Sequence, residues 1–168
     1  AATPSVSLTV IDRITAAGVV QFSPADTSLQ LLGYADHSLY FRDAPADDLQ
    51  GAVIARLLAD DGNKSAYILA ADSSIGKAVS ATVEATLKAA GVEVLGTKTY
   101  SPTATSFKTE VADIVSTAPN AVVLVTGDEA SRILRTMVEK HVGPTDLHVY
   151  LCDPTFGDAL GAAFDAGT

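Results

Sequence analysis

Two short apolar runs, each preceded by an amphipathic helical segment, constrain the fold of this chain most strongly. The runs cover 66–71 and 121–125, a length that suits a strand and is too short for a helix. Apolar strands without alternation are typical of parallel sheets that are covered on both faces. The segments that precede them, 47–59 and 107–117, repeat apolar residues at helical spacing. This arrangement predicts an α/β domain.

Helix and strand patterns alternate along the whole chain. Predicted helices cover 5–17, 47–59, 74–90, 107–117, 128–141 and 156–164. Predicted strands cover 19–23, 38–42, 66–71, 92–100, 121–125 and 147–152. Strands that alternate with helices of this length form βαβ units, so their sheet is mainly parallel. We predict a Rossmann-like α/β fold with helices on both faces of a mainly parallel sheet.

The composition excludes several classes of partner. The chain of 168 residues has 11 Lys and Arg against 20 Asp and Glu, so its formal charge is −9. No basic patch is visible for nucleic acid or for an anionic membrane surface. No apolar run approaches the roughly 18 residues of a membrane helix. The single cysteine, Cys152, lies in an apolar strand pattern and is expected to be a buried small side chain.

The motifs of enzymes and nucleotide-binding proteins are missing. No Gly-x-Gly-x-x-Gly motif and no Gly-Lys-Ser/Thr motif follows a predicted strand. His37, His141 and His148 lack the spacing of metal ligands, and 72–74 lacks the glycines of a nucleophile elbow. We therefore expect no catalytic residue, no metal and no cofactor.

Four loops that leave predicted strands carry hydroxyl and carboxylate side chains. They cover 23–28, 72–76, 126–129 and 153–157. Ligands of open parallel sheets bind at the carboxyl ends of the strands, and helix N-termini favour anions. The commonest use of Ser, Thr and Asp at such places is helix capping, and Thr105 or Ser106 is expected to cap 107–117. The clustering of the four loops favours ligand binding.

Two stretches of the chain carry a family resemblance. Arg42, Asp47, Gln50 and Gly51 open a helix after a short strand, and the strand within 18–27 ends in Ser-Pro-Ala-Asp-Thr. Both stretches resemble the leucine/isoleucine/valine-binding protein family, the type I periplasmic solute-binding proteins of ABC importers. Weaker similarity extends over 72–76, 100–123 and 133–135.

The resemblance implies an extracytoplasmic receptor for branched-chain amino acids or related small polar solutes, which hands them to an ABC permease in the membrane. Two lobes would close on the solute. Residues 1–40 would be the tail of lobe one, 41–46 the crossover and hinge, and 47–168 most of lobe two. The implied location is periplasmic or extracytoplasmic, with a lipid anchor on the full-length precursor as one form of it. Because this fragment lacks the strands that should pair with 19–23, we expect dimerisation or domain swapping.

The resemblance also implies ligand contacts. In relatives that bind amino acids, the positions of Ala25 and Thr27 hold the ammonium and carboxylate of the ligand. The family's serine turn falls at Ser5 or Ser7. The contacts implied from lobe two are Asp72, Ser74, Ile75, Thr126, Asp128 and Asp153.

Two other functions suit the same fold. One is the ligand-sensing domain of a regulator or receptor, which sequence outside this chain would distinguish. The other is an enzyme of the doubly wound class, which needs a phosphate or nicotinamide site that these loops do not show. Soaking with nucleotides tests the enzyme directly.

Overall fold

The computed structural model describes residues 4–155 and 158–164. Its helices are α1 (Pro4–Ala16), α2 (Asp47–Asp60), α3 (Ser74–Ala89), α4 (Lys108–Thr117), α5 (Ala130–Glu139) and α6 (Asp158–Ala162). Its strands are β1 (Gln21–Ser23), β2 (Tyr40–Arg42), β3 (Ser65–Ala71), β4 (Glu93–Tyr100), β5 (Ala121–Val125) and β6 (His148–Leu151). Single 3-10 turns cover Leu29–Leu31 and Asp153–Thr155. The helix predicted at 156–164 is the short α6, and residues 156 and 157 lie outside the described ones.

The chain divides into two compact units, residues 1–50 and residues 51–168. In unit one, β1 and β2 pair in parallel, with Phe22 opposite Phe41. The strand predicted at 19–23 therefore has a partner on one side, and it is shorter than predicted because the Val19 N–H donates to the Ile14 carbonyl (3.1 Å). Both phenylalanines are more than half exposed, at 56% and 52%, so one face of this small sheet is apolar and uncovered.

In unit two, four strands form a parallel sheet in the order β4-β3-β5-β6. The strand β3 pairs with β4 from Ser65 opposite Glu93 and with β5 from Ala66 opposite Ala121. The strand β6 joins β5, with His148 opposite Ala121. Each connection between successive strands of this sheet passes through a helix, so the predicted parallel α/β architecture is confirmed.

Two apolar cores cover the two faces of this sheet. On one face α2 and α3 pack through Leu58, Val79 and Val83 against Ile68 of β3. On the other face α4 and α5 supply a second set that packs on Tyr67 and Leu69: Phe107, Val111, Ile114, Ile133 and Met137. Successive β3 residues point to opposite cores, which explains why the strand sequence shows no polar alternation. Cys152 is buried in the first core, as predicted.

The helix ends show two kinds of termination. Gly91 follows α3 at φ +77°, a left-handed conformation that suits glycine. The helix α4 instead ends at Ala118, which takes the same conformation at φ +46° and ψ +56° and donates its N–H to the Ile114 carbonyl. None of the helices in the described part of the chain is long and apolar enough to span a membrane.

Candidate functional site

The loop after β1 in unit one is shaped by its own polar side chains. The Asp26 N–H donates to Ser23 Oγ (3.1 Å), and the Ser28 N–H donates to Asp26 Oδ1 (3.2 Å). Such short-range bonds fold the chain back on itself without a regular element. The turn buries Asp26, leaves Ala25 exposed and leaves Thr27 half-buried.

Arg42 in β2 holds this loop from the neighbouring strand. Its Nη1 donates to the Ser28 carbonyl (2.8 Å) and lies 3.5 Å from the Asp26 carbonyl. The Asp47 N–H, at the start of α2, donates to the Thr27 carbonyl (2.9 Å). Two residues of the motif that runs from Arg42 to Gly51 therefore position the loop that carries Ala25 and Thr27.

The two candidate serines of α1 differ in exposure. Ser5 lies on the first turn and is exposed, whereas Ser7 is fully buried. A solute in solution can reach only the first of them without a rearrangement of unit one. Of the two predicted alternatives, Ser5 is therefore the accessible one.

The loops of unit two meet at the carboxyl edge of the four-stranded sheet. The Asp72 N–H, after β3, donates to the carbonyl of Tyr100 at the end of β4 (2.8 Å). Thr126 Oγ1, after β5, lies 3.1 Å from Thr155 Oγ1, after β6. Thr155 Oγ1 also lies 3.2 Å from the Thr126 carbonyl, to which it donates. These bonds join the loops in pairs along one edge.

A buried tyrosine–glutamate pair lies at the same edge. Tyr100 Oη donates to Glu129 Oε1 (2.5 Å), and the Gly127 N–H donates to the same oxygen (3.2 Å). Tyr100 is 3% exposed and Glu129 is 7% exposed. Burial, followed by the hydrogen bond and charge of Glu129, raises the pKa of Tyr100, so the phenol stays protonated and remains a donor.

The surroundings fix both members of this pair. The Phe107 ring meets the Tyr100 ring edge-on, with centroids 5.3 Å apart, and the Arg132 guanidinium lies 5.4 Å from the Phe107 centroid. Neither hydrogen bond to the carboxylate uses Oε2, which lies 3.4 Å from where a Cβ on Gly127 would be. A Cβ at position 127 would therefore lie in van der Waals contact with the carboxylate.

The start of α3 brings three predicted residues to the edge but uses a different one as its cap. Ser73 Oγ accepts the Gly76 N–H (3.0 Å), while Ser74 and Ile75 are exposed. Asp72 forms an exposed ion pair with Lys77 Nζ (2.6 Å). The helix can approach β3 so closely because Gly76 has no side chain. A Cβ there would lie 2.0 Å from the Ala71 carbonyl oxygen.

The remaining predicted residues, Asp128 and Asp153, are exposed members of the loops after β5 and β6. Three residues of the edge are not among the predicted contacts: Tyr100, Glu129 and Thr155. Tyr100 is the last residue of a predicted strand, and Glu129 and Thr155 lie within the predicted loops 126–129 and 153–157. Their position at the carboxyl ends of strands was therefore the available signal. In the described part of the chain, no three His, Cys, Asp or Glu side chains are grouped to hold a metal ion.

A family model and solved structures match the chain. The family model, described as periplasmic binding protein, matches residues 1–166. A putative branched-chain amino acid ABC transporter protein from Rhodospirillum rubrum has a TM-score of 0.80 at 20% identity. That match covers 96% of this chain and 46% of that chain. No curated protein matches the chain.

Two further solved structures were determined with ligands. An ABC transporter substrate-binding protein from Desulfitobacterium hafniense in complex with Leu matches with a TM-score of 0.76 and 17% identity, over 92% of this chain and 45% of that chain. A solute-binding protein from Rhodopseudomonas palustris BisB5, in complex with 3,4-dihydroxy benzoic acid, matches with a TM-score of 0.74 and 16% identity. That match covers 94% of this chain and 45% of that chain. At these identities the match shows the shared fold, and this chain spans less than half of each structure's length.

Proposed function

Because the chain belongs to the periplasmic binding protein family, we propose that its full-length protein is an extracytoplasmic solute-binding receptor of an ABC importer. The proposed partners are a small polar solute and a permease in the membrane. The division into lobes at 1–40 and 47–168, with a hinge at 41–46, belongs to this proposal. The matched structures span about twice the length of this chain, so the activity is proposed for the longer protein.

The observation that carries the proposal is the carboxyl edge of the sheet in unit two. Four loops meet there and present hydroxyls, carboxylates and helix N-termini, which is where open parallel sheets bind ligands. Among the described residues the edge has no metal cluster, and it has neither glycine-rich phosphate motif. Reversible binding of a small polar molecule is what these groups support best.

The charge of the edge favours a solute with a cationic or hydrogen-donating group. Glu129 is a buried carboxylate, and Asp72, Asp128 and Asp153 add exposed ones in the adjoining loops. We propose an amino acid whose ammonium approaches Glu129, with branched-chain amino acids as the first class to test. Relatives of the same fold were crystallised with Leu and with 3,4-dihydroxy benzoic acid, so aromatic acids form the comparison class.

A thermal-shift screen of the full-length protein tests the proposal. A solute that binds only the folded state stabilises it by about 2.7 kcal/mol at 100 times its Kd. We expect leucine, isoleucine or valine to raise the melting temperature and benzoates of similar size to leave it unchanged. A shift with aromatic acids alone would support a solute-binding receptor and would contradict an amino acid as its solute. No shift with any amino acid or carboxylate would contradict the receptor itself.

A matched pair of variants tests the role of Glu129. Glu129→Gln keeps the size and one acceptor oxygen but removes the charge, so we expect Kd for an amino acid to rise by about tenfold or more. Glu139→Gln makes the same change at the other end of α5, where the side chain is exposed, and should leave Kd unchanged. Titration calorimetry measures both constants. Equal constants for the two variants would exclude Glu129 from the solute site.

A further inference from the structure

The buried face of the small sheet in unit one is polar. Gln21 of β1 lies opposite Tyr40 of β2 in the parallel register, and both side chains are on the face that α1 covers. From α1 comes Ser7, and from the loop after β1 comes Asp26. We call Ser7, Gln21, Asp26 and Tyr40 the polar cluster. Ser7 and Asp26 are 0% exposed and Gln21 is 4% exposed.

Five polar atoms of this cluster are sealed from solvent and form no hydrogen bond with any described residue. They are Ser7 Oγ, Gln21 Oε1, Gln21 Nε2, Asp26 Oδ2 and Tyr40 Oη. Native proteins satisfy most buried polar atoms, and an unsatisfied group costs more than an ordinary hydrogen bond contributes. Five such atoms in one small unit therefore indicate a partner that lies between them.

Two other members of the polar cluster, Ser7 and Asp26, lie close to the Tyr40 hydroxyl. Burial raises the pKa of Tyr40, hydrogen-bond interactions with the hydroxyls of Ser7 and Ser23 lower it, and the charge of Asp26 and its hydrogen-bond interaction raise it again. These side chains are therefore close enough to act on the phenol, although Tyr40 Oη makes no hydrogen bond of normal geometry with them. Groups that are near one another but not bonded are the setting in which a bridging water is found.

The chemistry of the atoms matches a water molecule. A water donates two hydrogen bonds and accepts two. The cluster offers acceptors at Asp26 Oδ2 and Gln21 Oε1, and donors at Tyr40 Oη, Ser7 Oγ and Gln21 Nε2. Buried waters make about three such bonds on average. Because every atom is already sealed, a group from outside the unit cannot supply these bonds without displacing a side chain.

The charge nearby favours water over a metal ion. Arg42 lies beside the loop and directs Nη1 to the carbonyls of Ser28 and Asp26. The positive charge of Arg42 already lies next to the Asp26 backbone. The polar cluster therefore needs partners for its hydrogen bonds and not a further cation. A metal ion would add a second positive charge to a site with one carboxylate.

We propose that the polar cluster encloses at least one ordered water molecule, hydrogen-bonded to Asp26 Oδ2 and Tyr40 Oη, that ties α1, β1 and β2 to the loop after β1. The water sets the position of Asp26, which lies between Ala25 and Thr27. The loop therefore rests on an internal water, whichever solute the protein binds.

A crystal structure of the full-length protein at about 1.5 Å resolution tests the proposal directly. We expect a density peak at hydrogen-bond distance, about 2.7–3.1 Å, from both Asp26 Oδ2 and Tyr40 Oη. Direct hydrogen bonds from Tyr40 to Asp26 with no peak between them would overturn the water. A peak with five or more oxygen contacts at about 2.3–2.6 Å would overturn it in favour of a cation.

A pair of tyrosine variants gives an independent measurement. Tyr40→Phe removes one partner of the water, and we expect it to lower the melting temperature by about 2–4 °C and to weaken or remove the density peak. Tyr34→Phe is the control, because Tyr34 Oη bonds to Asp12 at an exposed site (3.0 Å). It should change the melting temperature by about 1 °C or less. An unchanged peak and an unchanged melting temperature in Tyr40→Phe would contradict the proposal.

Discussion

At the residue scale, a hydrogen-bonded group links the loop after α2 to β6. Tyr150 Oη donates to Asp61 Oδ2 (2.5 Å), and Asn63 Nδ2 donates to Tyr150 Oη (3.1 Å) and to the Leu58 carbonyl (2.9 Å). His148 Nδ1 lies 3.0 Å from Asn63 Oδ1. The contacts from β6 join positions more than 80 residues apart, so they stabilise the tertiary structure and not a local turn.

This group predicts a loss of stability in strongly alkaline solution. Burial, followed by the hydrogen bond and charge of Asp61, raises the pKa of Tyr150 to about 12 from its ordinary value of 10.0. Since the folded pKa is the higher one, the contribution of the phenol to stability is complete below about pH 10. It is lost as pH rises through about 12. We expect the difference in unfolding free energy between wild type and Tyr150→Phe to shrink over that interval.

Urea unfolding at about pH 8, 10, 11 and 12 measures this difference. Other lysines and tyrosines titrate in the same range, and their effect cancels because both proteins contain them. A difference that stays constant up to about pH 12 would mean that Asp61 does not hold the Tyr150 proton.

At the element scale, the strands of unit two could be predicted and the start of α4 could not. A strand that is buried on both faces is a short run of apolar residues, too short for a helix, and β3 and β5 are such runs. The expectation that Thr105 or Ser106 caps α4 is wrong. The N-cap residue is Phe107, which makes no side-chain cap bond and is held instead by its ring contact with Tyr100. Tertiary packing decided this helix start.

The candidate site also combines positions that the local sequence predicts with contacts that only the tertiary structure decides. The carboxyl ends of the strands were predictable positions, so the loops 72–76 and 126–129 were predicted, and the family resemblance then implied Asp72 and Thr126 as contacts. Glu129 lies in the predicted loop 126–129 but was not named as a contact, because an acidic residue at a helix start is commonly an ordinary cap. Its burial depends on Tyr100, 29 residues earlier in the chain. No local pattern reports a contact of that kind.

The helix ends allow a stabilising substitution. Ala118 ends α4 in the left-handed region, where a side chain is strained and glycine is not. We expect Ala118→Gly to raise the unfolding free energy by about 0.5–1 kcal/mol. Ala90 ends α3 with ordinary right-handed angles, so Ala90→Gly should lower it. Urea unfolding of both variants gives the signs, and a loss of stability in Ala118→Gly would contradict the assigned cap.

The approach of α3 to β3 predicts a damaging substitution. The Cβ of Gly76→Ala would lie 2.0 Å from the Ala71 carbonyl oxygen, so the helix or the strand end must move. We expect a loss of about 2 kcal/mol or more in unfolding free energy. Gly161→Ala in α6 is the control, because a Cβ at that position would have no atom of the described residues within 4 Å, and it should leave the stability unchanged or raise it slightly. Equal stability of the two variants would contradict the close approach.

At the scale of the whole molecule, the two units differ in how much core they contain. Unit two has two apolar cores around a four-stranded sheet. The buried apolar side chains described for unit one are Ile11 and Leu31, and its sheet has two strands. A two-stranded sheet with so small a core is marginal in water.

This difference predicts that unit two folds without unit one. A fragment of residues 44–168 should show a single cooperative urea transition by circular dichroism, whereas residues 1–50 should be unfolded in isolation. The 168-residue chain measured in parallel is the reference. A cooperative transition of 1–50 alone, or its absence in 44–168, would show that stability is distributed differently.

The strand order of unit two has a consequence for synthesis of the chain. The central strand β3 ends at Ala71, and its partner β5 begins at Ala121, about 50 residues later. At about 5–20 residues per second, a ribosome takes roughly 3–10 s to make that interval. During this time one edge of an apolar strand can pair with the wrong chain. Until β5 is available, one edge of β3 therefore has no partner strand in this sheet.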